Sequence, residues 1–197
     1  MLVLYAWLIM FFNAEEGMLT SKGFTNLKYY TTLSNIFAAV VALMWVSDYV
    51  KKKDASYMPA LKLVAAAAVG VTFLVVLGFL GPLYGFQTMY KRSNFFLHLV
   101  VPIMAMAEMI FFNDMKISLR QSIATIIPPL IYGTVYLINC IINGIEGNDI
   151  YAFLRWGYPV GLLIFAIICL VSFIIGTILR IIGSELILKR HITGDTV

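Results

Sequence analysis

The sequence predicts an all-α fold, a polytopic membrane bundle of about six transmembrane helices with both termini in the cytoplasm. Three observations carry this. The 197 residues are 61% hydrophobic and only 12% charged, about half the charged fraction of an ordinary soluble domain. Mean hydropathy is +0.92. The apolar residues gather in long blocks rather than alternating, which argues against barrel strands. In a bilayer a continuous apolar run of about 20 residues is stable as a helix, because its backbone groups satisfy one another.

The blocks place spans near 1–13, 30–49, 60–82, 94–112, 119–143 and 156–183. Short connections between them favour antiparallel neighbours in a single domain covering 1–197. The first span is the weakest. Residues 1–12 would cover about 18 Å as a helix, against a hydrocarbon core of about 30 Å. Met1 is not followed by a basic stretch, so a cleaved signal peptide is a poor fit. The helix is expected to start in the headgroup region, to extend to Gly17, or to be shortened at its start.

Basic residues orient the bundle. With the N-terminus inside, Lys51, Lys52, Lys53, Lys62, Lys116, Arg120, Arg180, Lys189 and Arg190 fall on the inner side. Lys22, Lys28, Lys91, Arg92 and Arg155 fall outside, with Glu15, Glu16, Glu146 and Asp149. Nine against five places both termini in the cytoplasm. The formal charge of +4 is spread over the connections, so these residues read as topology signals and headgroup contacts, and no nucleic-acid partner is expected. Cys140 and Cys169 lie inside apolar blocks and read as small packing residues, without disulfide or metal spacing.

Within the spans, Ala65 to Ala68, Gly70 and Gly78 predict close helix contact in the third span. Pro102, Pro128 and Pro129 should bend their helices and free a carbonyl or open a cavity. Ionisable groups are costly in a bilayer and need a partner or a wet cavity. The fourth span holds two, His98 and Glu108. They stand about 15 Å apart along a helix, too far for one to hold the other. The second span opens with Tyr29, Tyr30, Thr31, Thr32, Ser34 and Asn35. Thr31, Ser34 and Asn35 share one helix face. Thr31 begins the second span and His98 begins the fourth, and both spans run from outside to inside, so the two residues fall at similar depth. Such a pair is either interhelical hydrogen-bonding glue or a nucleophile with its base.

At these residues the sequence resembles a known family. YYTTLSN (29–35) is similar to the [YF]-F-T-[IV]-Q-S-N segment of bacterial predicted six-transmembrane proteins, and HLVVP (98–102) with Glu108 resembles their H-Y-V-V-P-(five residues)-D block. PPLIYGTVYLINCIINGIEGNDIYAFLRWGYP (128–159) resembles their fifth span and following loop. These proteins are related to the androgen-induced and androgen-dependent tissue-factor-pathway-inhibitor-regulating proteins, membrane threonine hydrolases of fatty acid esters of hydroxy fatty acids. The resemblance implies a lipid-ester hydrolase with Thr31, or its neighbour Thr32, as nucleophile and His98 as general base. First-turn N–H groups, with Ser34 or Asn35, would support an oxyanion. Tyr30, Pro102, Glu108, Tyr132, Tyr136 and Asn139 are expected to line the pocket. Leu33 replaces the family's Gln and Glu108 its Asp. No glycine-rich phosphate loop, HExxH or cysteine cluster occurs, so no cofactor or metal is implied. The expected partners are a fatty-acyl ester and membrane lipids. The alternatives are a non-catalytic lipid-binding or lipid-sensing protein, and a small proton-coupled transporter using His98 and Glu108.

Overall fold

A computed structural model describes residues 1–12, 23–112 and 117–193, with side chains described to residue 186. The expectations on Glu15, Glu16, Gly17, Lys22 and Lys116 lie outside the described residues, as do those on the side chains of Lys189 and Arg190. Among the described residues every regular element is helical. Five helices among the described residues are long and apolar enough to cross a membrane. We label the helices α1 (Leu2–Phe12), α2 (Tyr30–Val50), α3 (Met58–Tyr84), α4 (Ser93–Phe111), α5 (Leu119–Asn143) and α6 (Tyr158–Thr193). The first of these has 11 residues, about half a span. It packs through Ala6 and Met10 against Leu97 and Phe96 at the start of α4.

α3 is the central helix. Of its most apolar 18 residues 61% are buried, against 17 to 33% in the four other long helices. Small side chains make this possible, because backbones can approach closely where Cβ substituents are absent or single. Ala65 to Ala68 are all buried. A Cβ on Gly70 would stand 3.2 Å from Ile175 of α6 and 3.3 Å from the Met106 sulfur of α4. Gly78 departs from the expectation: it is exposed and nothing lies within 4 Å of the place its Cβ would take. It sits in a widened π turn over Val76–Leu80 rather than at a helix contact.

Among the described residues two such π turns occur, over Val76–Leu80 and Phe96–Val100. Each ends immediately before a proline-bearing dipeptide, Gly81-Pro82 and Val101-Pro102. The cause is common to both. A helical proline ring collides with the carbonyl four residues back, and widening the turn relieves it. Accordingly Gly81 N–H bonds to Val76 O and Val101 N–H to Phe96 O, five residues back in each case.

Between α3 and α4 the chain reverses sharply at Gly85, whose φ of +90° is unfavourable for any residue bearing a Cβ. At the opposite end Lys62 of α3 bonds Glu108 of α4 at 2.6 Å, and its ammonium lies 4.0 Å from the Trp45 ring centroid of α2. That cluster ties three helices at what we call the lower end. The upper end carries Lys28, residues 85–92 and the 144–157 loop.

Gly70→Leu is expected to lower stability by about 1–3 kcal/mol through overpacking, while Gly78→Leu stays within about 0.5 kcal/mol of the parent. Thermal unfolding of the two detergent-solubilised variants compares them directly. Equal losses would remove the central packing role of Gly70.

Candidate functional site at the upper end

The site is built around the first two turns of α2. Tyr29 adopts an extended backbone and supplies no side-chain cap. The first N–H of the helix, on Tyr30, instead donates to the Tyr151 hydroxyl at 2.8 Å. The next two, on Thr31 and Thr32, take no backbone carbonyl among the described residues. They remain as donors at the positive end of the helix dipole.

Asn35 joins α2 to α4. Its Nδ2 donates to Thr31 O at 2.8 Å and to Leu97 O at 3.1 Å. Both amide hydrogens are therefore spent on carbonyls. The second bond follows from Pro102. In the widened register of 96–100, the donor that should serve Leu97 O is the N–H of residue 102, and proline has none. A buried carbonyl without a donor is costly, and the Asn35 amide supplies the missing hydrogen. The carbonyls of Thr31 and of the residue preceding His98 thus lie no further apart than those two hydrogen-bond lengths combined.

Ser34 reinforces the same turn. Its Oγ donates to Thr31 O at 3.1 Å and lies 3.1 Å from Thr72 Oγ1 of α3. With its proton committed to a carbonyl, Ser34 accepts from Thr72. Neither Ser34 nor Asn35 keeps an N–H or O–H for an oxyanion, so the expectation that they donate to one is replaced by a positioning role. Asn35 Oδ1 and Thr32 Oγ1 are buried and without a partner among the described residues.

His98 is 1% exposed. Its Nδ1 lies 2.7 Å from Met89 O. A carbonyl can only accept, so in the neutral ring Nδ1 carries the proton and Nε2 carries the bare lone pair. Met89 is fully buried at the end of a single helical turn, Phe86–Met89, and the sharp reversal at Gly85 delivers its carbonyl to the ring.

A layer of tyrosines and one aspartate folds the 144–157 loop over this end. Tyr136 donates to Asp149 Oδ1, and Leu154 N–H donates to Asp149 Oδ2 at 2.9 Å. Tyr132 donates to Lys28 O at 2.7 Å. Tyr151 stacks on Tyr136 and Phe153. Burial, with a smaller contribution from the neighbouring Tyr132 phenol, holds the Tyr151 hydroxyl well above the usual range of 10, so it remains protonated at neutral pH.

Two hollows adjoin the layer. The smaller, about 40 Å³, is lined by Thr31, Thr72, Tyr30, Tyr132 and Tyr151 with apolar side chains of α3, α5 and α6. It can hold water, which needs roughly 10–15 Å³. The larger is a cleft of about 1040 Å³ between α2, α3 and α5, lined by Tyr30, Ser34, Tyr132, Tyr136 and Asn139 among others. The expected pocket residues therefore divide. Tyr30, Tyr132, Tyr136 and Asn139 line hollows. Pro102 and Glu108 border neither of these two, the first acting on the α4 backbone and the second on Lys62. His98 and Thr32 also border neither.

Sequence reasoning missed Tyr151, Asp149 and the Met89 carbonyl as parts of the site. Asp149 and Tyr151 sit in a polar loop, where the only available signal was an acid among aromatics. A backbone carbonyl carries no residue-type signal at all. Comparison with protein-family models, with curated proteins and with solved structures found no match for this chain.

Asn35→Leu is expected to cost about 1–2 kcal/mol, the upper range for a hydrogen bond inside a membrane protein. Pro102→Ala should return a backbone donor to Leu97 O. The two changes must then couple: Asn35→Leu costs measurably less in the Pro102→Ala background. Strict additivity in this double-mutant cycle would refute the exchange of donors.

Proposed function

We propose that this chain is an intramembrane hydrolase of lipid esters, with Thr31 as nucleophile and His98 as general base. One observation carries the reading. The Asn35 amide holds the Thr31 carbonyl and the carbonyl next to His98 together, at the end of the bundle where a helix N-terminus offers free N–H donors. Three others support it. His98 presents a bare Nε2, Thr31 rather than Thr32 borders the water-sized cavity, and apolar side chains back the hydroxyl groups that line that cavity. The resemblance of YYTTLSN and HLVVP to the membrane threonine hydrolases points the same way, and we propose kinship with that family.

In this mechanism Thr31 Oγ1 attacks the ester carbonyl as its proton passes to His98 Nε2. The Thr31 and Thr32 N–H groups stabilise the tetrahedral oxyanion. The ester C–O bond breaks, and the alcohol leaves with the proton from the imidazolium. Water then attacks the acyl-threonine and gives a proton to Nε2. The acid departs as Thr31 Oγ1 recovers that proton. No metal or cofactor takes part.

A second reading is non-catalytic lipid binding. It is favoured by His98, which borders neither hollow. A proton-coupled carrier is less well supported, because Glu108 is paired with Lys62 at the lower end. We further propose that α1 completes a set of six membrane segments, with both termini and the lower end in the cytoplasm of a bacterial-type cell.

Turnover of a fluorogenic acyl ester by the purified protein should fall about 100- to 10,000-fold in His98→Asn, which keeps a donor for Met89 O but lacks the base. It should vanish in Thr31→Ala together with fluorophosphonate labelling. Labelling that persists in Thr31→Ala would exclude Thr31 as nucleophile. No turnover by the parent on any acyl ester, with lipid still bound, would favour the second reading.

Orientation has its own check. In a variant with Cys140 and Cys169 replaced by serine, Asn148→Cys should react with an impermeant maleimide on intact cells, and Ser56→Cys only after lysis. The reverse pattern would invert the bundle.

A further inference from the structure

The cleft of about 1040 Å³ is too large to be a packing fault and lies just above the usual range for ligand sites, about 300–1,000 Å³. Its form is specific. On α5 the lining runs from Ala124 to Asn139, about 22 Å of helix, which is most of the depth of a hydrocarbon core of about 30 Å. Its long walls are apolar: Leu33 and Phe37 from α2, Leu61 and Val64 from α3, Ile131 and Val135 from α5. Polarity is confined mostly to the upper end, where Lys28, Asn139 and Asn148 stand. Among the described residues lining it, Lys28 is the one with a charge, and no Asp or Glu is among them. The Lys28 ammonium has the Tyr29 ring as a neighbour, 5.1 Å from its centroid, and is exposed.

Tyr30 and Tyr132 line both the cleft and the water-sized cavity that holds Thr31. Their rings are 5.2 Å apart, edge to face. The pair is the partition between a long apolar slot and a small hydroxyl-lined chamber. The Tyr30 hydroxyl is buried there without a partner among the described residues.

We infer that the cleft is the seat of an anionic lipid, with an acyl chain lying along α5 and its head held at Lys28. An apolar slot about 22 Å long has the length to take an acyl chain along it. Among the described residues lining its polar end there is one cation and no acid, and the neighbouring Asp149 is engaged by Tyr136 and Leu154, so the end favours an anionic head over a neutral one. Shared walls at Tyr30 and Tyr132 place the head end of the lipid beside the Thr31 chamber. The inference adds a binding site and its ligand class to the proposed function. It depends on that reading for the chemistry at Thr31 only, since binding needs no catalysis.

The test is photo-crosslinking of the full chain, in phosphatidylcholine nanodiscs, with a diazirine-bearing palmitate and with the matching diazirine alcohol. Palmitate should label peptides from residues 33–37, 61–64 and 131–139, several-fold more strongly than the alcohol. Val135→Trp, which fills the slot from an exposed position, should abolish that labelling. Ile142→Trp, equally exposed on the same helix but outside the cleft, should leave it unchanged and controls for folding. Lys28→Glu should remove the preference for palmitate. Thr31→Ala should label like the parent, so that failure of the catalytic reading and failure of this one are separable. Labelling scattered over all lipid-facing helices, or unchanged in Val135→Trp, would overturn the inference. So would a stable dimer that buries the cleft. A palmitate preference that survives Lys28→Glu would overturn the assignment of the head site.

Discussion

In hydrocarbon a backbone carbonyl has no water to turn to, and each one must find a donor within the protein. Pro102 takes one donor away from α4. The donor that replaces it, the Asn35 side-chain amide, belongs to another helix and also serves Thr31 O. This exchange fixes the relative height and rotation of α2 and α4. Ser34 extends the same logic to α3 through Thr72. A defect in one helix thereby becomes the joint of three, and the polar residues at the upper end inherit their positions from it.

The joint works because the bundle around it is rigid where it must be. Small residues of α3 let α4 and α6 close on it at Gly70. α5 and α6 meet through a similar device: Thr125 and Ser172 exchange hydrogen bonds with each other's carbonyls, and a Cβ on Gly176 would stand only 2.5 Å from Thr125. By contrast α2 and α5 scarcely touch, and the cleft opens between them. Close packing of α2, α4 and α6 on α3, with little contact between α2 and α5, divides the molecule into a scaffold and a slot.

The 144–157 loop is the second condition for the site. It has no regular structure to hold it, and it is held instead by charge-assisted and phenolic hydrogen bonds to Asp149, Tyr136 and the α2 N-terminus. Asp149 accepts from a tyrosine and a backbone N–H at once, which is why an acid can sit against the aromatic layer. The result closes the upper end of the bundle over Thr31 while leaving the lateral face of the cleft apolar.

The sequence by itself determined the helical class and the approximate limits of the long helices. Spans expected at 30–49 and 119–143 appear at Tyr30–Val50 and Leu119–Asn143, because the length of an apolar block is set by hydrocarbon thickness, a property of composition alone. It also placed Thr31 and His98 at one end of the bundle, since strict up-and-down traversal converts span order into depth. Tertiary structure decided the rest. Nothing in the local pattern distinguishes Gly70, which touches two helices, from Gly78, which touches none. Asn35 could have donated to an oxyanion until Pro102 left a carbonyl for it to serve. The tautomer of His98 is set by a main-chain oxygen nine residues away, and the cleft exists because two particular helices stay apart. These are contacts between surfaces, and hydropathy and spacing along one chain do not encode which surfaces meet.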